Sequence, residues 1–150
     1  MEKPTYIVKS TPDALQHIFE SVNDEKIIKK IVAFVPVEEK PDLFQLVFGD
    51  LTSDGQIDVF SVSNNNDMKL VLTTVLGTLL TFFDKNPTKT VIFTGITTAR
   101  TRLYRAVISK YLKQSELFYD MKGILENGKS EHFESNHVYL GYLIKQKNEK

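Results

Sequence analysis

The stretch that decides the fold runs from residue 64 to residue 95, NNNDMKLVLTTVLGTLLTFFDKNPTKTVIFTG. Its first four residues are typical of a helix cap, and apolar residues follow at helical spacing from 68 to 83. Pro87 lies just past that segment, where a helix is expected to stop. Residues 90–94 then form an apolar β-branched run that Gly95 ends, which is typical of a short buried strand. The stretch therefore predicts a helix followed at once by a strand.

The residues before this stretch have the alternation of β-strands. Asp54-Gly55 is a strong hairpin signal between two of the alternating runs, and the order favours an antiparallel meander. The predicted strands are Tyr6–Lys9, Gln16–Val22, Ile27–Val37, Leu43–Leu51 and Gln56–Val62.

The residues after the stretch predict a second helix and two last strands. The helix covers about Thr98–Leu112, and the strands cover about Phe118–Leu125 and Val138–Lys147. The apolar face of the helix is predicted to consist of Leu103, Ala106, Val107 and Tyr111.

This order of elements defines a fold class. A strand–helix–strand connection needs a right-handed crossover, so one parallel pair is expected inside a mainly antiparallel sheet. We therefore predict an α+β fold, with a mixed sheet and two main helices. No repeat, low-complexity segment or linker interrupts the 150 residues, so residues 1–150 are predicted to form a single domain.

Composition excludes several classes of protein. The chain is 41% hydrophobic and has no cysteine, which excludes disulfides, cysteine-ligated zinc, iron–sulfur clusters and thiol catalysis. The longest apolar stretch is too short and too interrupted to cross a bilayer, and the first ten residues lack an apolar signal region. We expect a cytoplasmic protein without a membrane partner.

The formal net charge of zero conceals two opposite regions. Residues 85–115 contain seven basic residues and no acidic one, whereas residues 38–67 contain seven acidic residues and a single lysine. An anionic partner, nucleic acid included, is therefore not excluded by the neutral total.

The arginines sharpen this asymmetry. The chain has 16 lysines but three arginines, and all three lie within residues 97–105. The guanidinium group binds phosphate or carboxylate through two hydrogen bonds, and the start of a helix also favours anions. Cations in the first turns of a helix are disfavoured, which implies that something negative lies nearby. The predicted anion-binding residues are Thr97, Thr98, Arg100, Arg102 and Arg105.

Two structural alternatives to an anion site stay open. The arginines could pair with the acidic region, for example with Asp50, Asp58 or Asp67, or they could lie at a homodimer interface. An anion site predicts arginines that line a cleft, whereas internal pairing predicts guanidinium groups already occupied by carboxylates.

Further ligand contacts are possible beside the arginine cluster. Tyr104 could stack on a ring or act as an acid, although a buried tyrosine with a bonded hydroxyl is the simpler interpretation. The start of the first helix could hold a phosphate with Asn64, Asn65, Asn66 and Asp67, although a plain helix cap explains the same residues.

The remaining polar residues carry no recognisable motif. Asp50, Asp54 and Asp58 are interpreted as solvated turn residues, and His132 and His137 as surface residues. No metal site is predicted, no phosphate-loop or nucleophile-elbow motif is present, and no catalytic residue is identified.

Several strings together resemble a family. Gly49-Asp50, Gly55-Gln56-Ile57-Asp58, residues 61–65, residues 71–75 and residues 93–105 are similar to an uncharacterised bacterial family of single-domain proteins of about this length. The Thr-x-Ala-Arg-Thr-Arg-Leu-Tyr-Arg string is its most specific part. The resemblance implies a small bacterial cytosolic protein and implies no activity.

The order of elements also resembles the fold of acetyl-CoA-dependent N-acetyltransferases (GNAT). That resemblance implies a cofactor pyrophosphate at the start of the helix after the fourth strand, which is Ser63–Met68 here. These residues contain no glycine, so the phosphate signature of that family is absent.

Three functions follow as hypotheses, and whether the chain is an enzyme stays open among them. The first is a binding or interaction module that recognises a phosphate-bearing ligand or an acidic protein partner through residues 97–105. The second is a GNAT-like transferase that uses acetyl-CoA or a nucleotide. The third is a purely structural or homodimer role for the arginines.

Overall fold

The computed structural model describes residues 5–22, 26–58, 67–94, 98–134 and 137–147, apart from the side chains of residues 68 and 98–104. The elements are β1 (Lys9–Ser10), β2 (Gln16–Val22), β3 (Ile27–Val37), β4 (Lys40–Leu51), β5 (Ile57–Asp58), α1 (Met68–Lys85), β6 (Thr90–Phe93), α2 (Thr98–Gln114), β7 (Tyr119–Ile124), β8 (Ser130–His132) and β9 (Gly141–Gln146).

The strands form one mixed sheet in the order β1-β2-β3-β4-β6-β9-β7-β8, with β5 beside β4. Neighbouring strands are antiparallel except for β4 and β6, which are parallel. The α+β class and the parallel pair inside a mainly antiparallel sheet are thus confirmed. The last strand, β9, lies between β6 and β7.

The parallel pair is short, and the sheet divides beyond it. Residues 43–45 of β4 face residues 90–92 of β6, whereas at Asp50 and Leu51 the same edge of β4 pairs with β5. The Phe48 and Phe93 rings lie 6.2 Å apart near the end of β6. β4 therefore runs on past the end of β6, and β5 pairs with its last residues.

Both helices pack on one face of the sheet and contact each other. Phe82 of α1 stacks on Phe34 with ring centroids 4.3 Å apart and meets Phe44 edge-on at 5.3 Å. The fully buried residues of the helices include Val75, Leu76, Leu79, Phe82, Ile108 and Leu112. Helix α1 is therefore buried over much of its circumference.

The two helices begin at the same end of the sheet. Asp67, just before α1, contacts Ser21 near the end of β2, and Lys30 of the next strand pairs with Asp50 near the end of β4. Helix α2 follows the carboxyl end of β6, which runs parallel to β4. In open sheets this end, where helices follow parallel strands, is where ligands usually bind.

Some predicted boundaries are wrong. Tyr6–Val8 is not strand, because the Tyr6 N–H donates to Thr74 Oγ1 of α1 at 2.9 Å instead of bonding a neighbouring strand. Ala106 is exposed, because α2 turns Ile108, Tyr111 and Leu112 toward the sheet. The short strand β8 had no alternation long enough to predict it. No helix in the described part of the chain is long and apolar enough to span a membrane.

Candidate functional site

Arg105 is the one arginine of the predicted site whose side chain is described. It lies in the second turn of α2, and its side chain is partly buried. The Nε atom is buried and has no hydrogen-bond partner, and no ion pair among the described residues involves Arg105. Burying a guanidinium nitrogen without a hydrogen-bond partner costs free energy of folding. In the described part of the chain no carboxylate pairs with Arg105 to offset that cost.

The neighbour of Arg105 on the sheet is Tyr142 of β9. This tyrosine is fully buried, and burial raises the pKa of its phenol while the positive charge of Arg105 opposes the rise. Since its Nε atom is buried, this part of the Arg105 side chain lies against the protein and not in solvent.

Gly141, next to Tyr142, brings β9 close to the end of β6. A Cβ atom added at Gly141 would lie 2.6 Å from the Phe93 carbonyl oxygen and 2.5 Å from Thr94 Cγ2. A side chain cannot be placed there, because backbone atoms do not yield as a flexible side chain would. The glycine therefore lets β9 approach the carboxyl end of β6 closely, and α2 follows that end in the chain.

Asp67 does not cap α1 with its side chain. Its Oδ2 atom instead accepts hydrogen bonds from the Tyr6 hydroxyl and the Ser21 hydroxyl, both at 2.5 Å. Burial and the bond to Asp67 raise the pKa of Tyr6. The carboxylate thus joins the N-terminal segment, β2 and α1, which is a structural role that the sequence interpretation as a ligand contact or cap missed.

The other predicted site residues cannot be placed in the same way. Asn64, Asn65, Asn66 and Thr97 lie outside the described residues. For four more, the backbone belongs to α2 but the side chains lie outside the described part: Thr98, Arg100, Arg102 and Tyr104.

Asp50 is not a solvated turn residue. Its carboxylate contacts Lys30 Nζ at 2.5 Å, and the two side chains are only 14% and 9% exposed. The sequence interpretation failed because the partner is 20 residues away and is brought opposite by the β3–β4 register. Asp54, by contrast, is exposed in the predicted hairpin, where the Thr52 hydroxyl bonds its carboxylate and lowers its pKa.

A cavity of about 430 Å³ opens on the sheet face that the helices leave uncovered. Its lining contains two lysines, a histidine and one aspartate, together with apolar side chains. The side chains are Thr90, Asp120, Lys122, His132, Leu143 and Lys145. No sequence signal singled them out, because they are spread over four strands, where they alternate with core residues.

The two downstream histidines are exposed, as predicted. His137 Nδ1 lies 2.6 Å from Glu131 Oε2, and the Tyr139 hydroxyl donates to the same oxygen at 2.8 Å. Both bonds lower the pKa of Glu131. No group of three or more histidine, aspartate or glutamate side chains in the described ranges could hold a metal ion.

Comparison with known proteins identifies a family. A family model described as "Family of unknown function (DUF6934)" matches residues 2–147. No curated protein and no solved structure matches the chain.

Proposed function

Since the chain belongs to the family of unknown function DUF6934, which supplies no activity, we propose from its geometry that it recognises a phosphate or carboxylate group at the start of α2. The group belongs to a small ligand or to an acidic protein partner. Thr97, Thr98, Arg100, Arg102 and Arg105 are the residues proposed to bind it.

The observation that carries the proposal is the unpartnered Nε atom of Arg105. A guanidinium that is partly desolvated and has no ion pair with a carboxylate of the described residues gains more from an external anion than a solvated one does, because water no longer competes fully. Two of the carboxylates considered as internal partners are already engaged: Asp50 by Lys30, and Asp67 by Tyr6 and Ser21. This favours an external anion over internal neutralisation.

Topology supports the same location. Helices α1 and α2 begin at one end of the sheet, and the parallel strands β4 and β6 both run toward that end. The free N–H groups of a helix start add to the positive potential of the arginines.

A GNAT-like transferase is the second candidate, and the sheet order favours it. A short parallel β4–β6 pair, with β4 running on past the end of β6 and the last strand inserted beside β6, is an arrangement in which an extended cofactor such as acetyl-CoA could lie beside β4. Against it, the Asp67 carboxylate lies just where that resemblance places the pyrophosphate, and like charges repel.

Thermal unfolding with added anions tests the proposal. Inorganic phosphate, ATP and acetyl-CoA are added separately to the wild type, Arg105→Ala and Arg102→Ala. A ligand present at 100 times its Kd stabilises the folded state by about 2.7 kcal/mol. We expect one of these anions to raise the Tm of the wild type, and the rise to be lost in both arginine variants while their ligand-free Tm changes little.

The matched control is Lys122→Ala, which removes a cation from the cavity on the uncovered face. Loss of stabilisation in this variant and not in Arg105→Ala would move the anion site to that cavity. A fall in the ligand-free Tm of both arginine variants, with no anion response in the wild type, would instead support a structural or homodimer role. A response to acetyl-CoA but not to ATP or phosphate would favour the transferase. A nucleic-acid partner would require binding to a short oligonucleotide that weakens steeply with salt.

A further inference from the structure

A serine–histidine pair lies at the β1 edge of the sheet, at the start of β2. Ser10 ends the edge strand β1, and His17 lies directly opposite it on β2. The Thr11 N–H donates to the Gln16 carbonyl at 3.0 Å, so the next pair along, Ser10 and His17, is a non-hydrogen-bonded pair. In such a pair the side chains are close, and the backbone N–H of Ser10 points away from β2 toward the outer edge of the sheet.

The hydrogen bonds of the pair determine which imidazole nitrogen carries the proton. Ser10 Oγ lies 2.7 Å from His17 Nδ1, and His17 Nε2 lies 2.7 Å from the Ala14 carbonyl oxygen. A carbonyl oxygen can only accept, so Nε2 carries the proton and Nδ1 of the neutral ring accepts from the serine hydroxyl. The histidine is therefore oriented as a base toward Ser10.

The loop that supplies the carbonyl is rigid and strained. Ala14 has φ 61° and is 1% exposed, a backbone conformation that alanine rarely adopts. The Ala14 N–H donates to the Thr11 carbonyl at 2.9 Å, and the Leu15 N–H donates to Asp13 Oδ1 at 3.0 Å. These bonds hold the Ala14 carbonyl against the imidazole.

The two members of the pair differ in exposure. His17 is 0% exposed and its ring meets Phe34 edge-on at 5.6 Å, whereas Ser10 is exposed. Burial lowers the pKa of His17, and the Ala14 carbonyl and Asp13 only partly oppose this. A neutral, oriented imidazole next to a solvent-accessible hydroxyl is the arrangement that activates a serine nucleophile.

We propose that Ser10 is a nucleophile for activated esters, with His17 as its base and Ala14 as a positioning residue. Ser10 Oγ forms a bond to the carbonyl carbon of the ester while its proton passes to His17 Nδ1. The bond from that carbon to the alcohol oxygen breaks, and the alcohol leaves with the proton from His17. Water then attacks the acyl-serine by the same path, releasing the acid and restoring Ser10. The backbone N–H of Ser10, which points away from β2, can donate a hydrogen bond to the oxyanion.

The test uses p-nitrophenyl acetate with the full chain. Release of nitrophenolate is followed by absorbance, and the acetylated residue is located by peptide mass spectrometry. We expect acetyl on Ser10, and at least a tenfold loss of the initial rate in Ser10→Ala and in His17→Gln. Ser53, exposed in the β4–β5 turn, is the internal reference for an unactivated serine.

Because His17 is buried, His17→Gln could unfold the protein, so the wild type in urea above its unfolding midpoint supplies a second comparison. Acetylation of Ser10 that disappears on unfolding supports the proposal even if His17→Gln does not fold. Ser10 acetylation no faster than that of Ser53, or equally fast in the unfolded chain or in folded His17→Gln, would overturn it. This outcome is independent of the anion site, which follows β6, four strands away from β1 in the sheet.

Discussion

Replacing Asp50 with asparagine should destabilise the protein strongly, because it removes the carboxylate charge that lies beside the buried Lys30 ammonium. The two side chains are 9% and 14% exposed, and their charged atoms are 2.5 Å apart. Breaking a buried pair by removing one partner costs roughly 3–5 kcal/mol. Because some solvent reaches both side chains, we expect a loss of about 2–4 kcal/mol in the free energy of unfolding.

The matched control is the pair formed by Lys89 and Asp42. Its atoms are 3.0 Å apart, but the side chains are 30% and 78% exposed. Exposed pairs contribute about 0.2–1 kcal/mol to stability, so Asp42→Asn should lower the free energy of unfolding by no more than that. The two substitutions remove the same charge by the same chemistry, so they differ only in burial.

Urea unfolding followed by circular dichroism measures both losses, provided that the slope of the transition stays unchanged. A double variant, Lys30→Met with Asp50→Leu, should recover much of the stability, because an apolar pair removes the desolvation penalty. Equal losses for Asp50→Asn and Asp42→Asn would refute the reasoning from burial. The refutation would also return Asp50 to the carboxylates available for the arginines.

Three further predictions concern stability and ionisation. Because burial lowers the pKa of His17 below the 6.5 of the unfolded chain, the unfolded state binds more protons as pH falls. The free energy of unfolding should therefore decrease as pH drops below about 6.5 and level off below the folded pKa, and urea titrations at a series of pH values should show less of this dependence in His17→Gln. Gly123→Ala should lower the free energy of unfolding by about 1–3 kcal/mol, since the added Cβ would lie 2.2 Å from the Tyr139 ring. Gly77→Ala within α1 should raise it by about 0.5–1 kcal/mol, because the nearest atom to the added Cβ is 3.7 Å away. A Tm that falls in both variants would contradict this contrast. Burial and the bond to Glu131 raise the pKa of Tyr139 to about 12, so its ring carbon resonances should titrate late in alkaline NMR experiments and earlier in Glu131→Gln; identical titrations would rule out Glu131 as a cause.

The fold was largely predictable because its signals are local. Alternation over β2, β3 and β4 and the helical spacing of α1 recur every few residues, so each segment specifies its own backbone. The β4–β5 hairpin was predictable from Asp54-Gly55, and Gly55 does have positive φ, at 85°. The prediction failed for Tyr6–Val8 because a single long-range hydrogen bond to Thr74 decides the conformation of that segment. It failed for β8 because three residues are too few to show a period.

The candidate site was predictable only in part. The confinement of arginine to residues 97–105 is a property of composition, and it led to Arg105 without any structure. That Arg105 Nε is buried without a partner, and that Asp67 joins Tyr6 and Ser21, could not be predicted, because these contacts join residues 37 or more positions apart. The Ser10–His17 pair was missed for a different reason: two ordinary residues seven positions apart form no known motif.

By itself, the sequence determined the α+β class, the meander, the parallel pair and the separation of charge into an acidic and a basic region. All of these depend on local periodicity or on composition, which the order of residues carries directly. Only the tertiary structure decided which charges neutralise each other. Register placed Lys30 beside Asp50 and Ser10 beside His17, and packing buried the Nε atom of Arg105. An ion pair or a serine–histidine hydrogen bond requires two atoms to lie within a few ångströms of each other. Only the folding of the chain sets that distance for residues that are not neighbours in the sequence.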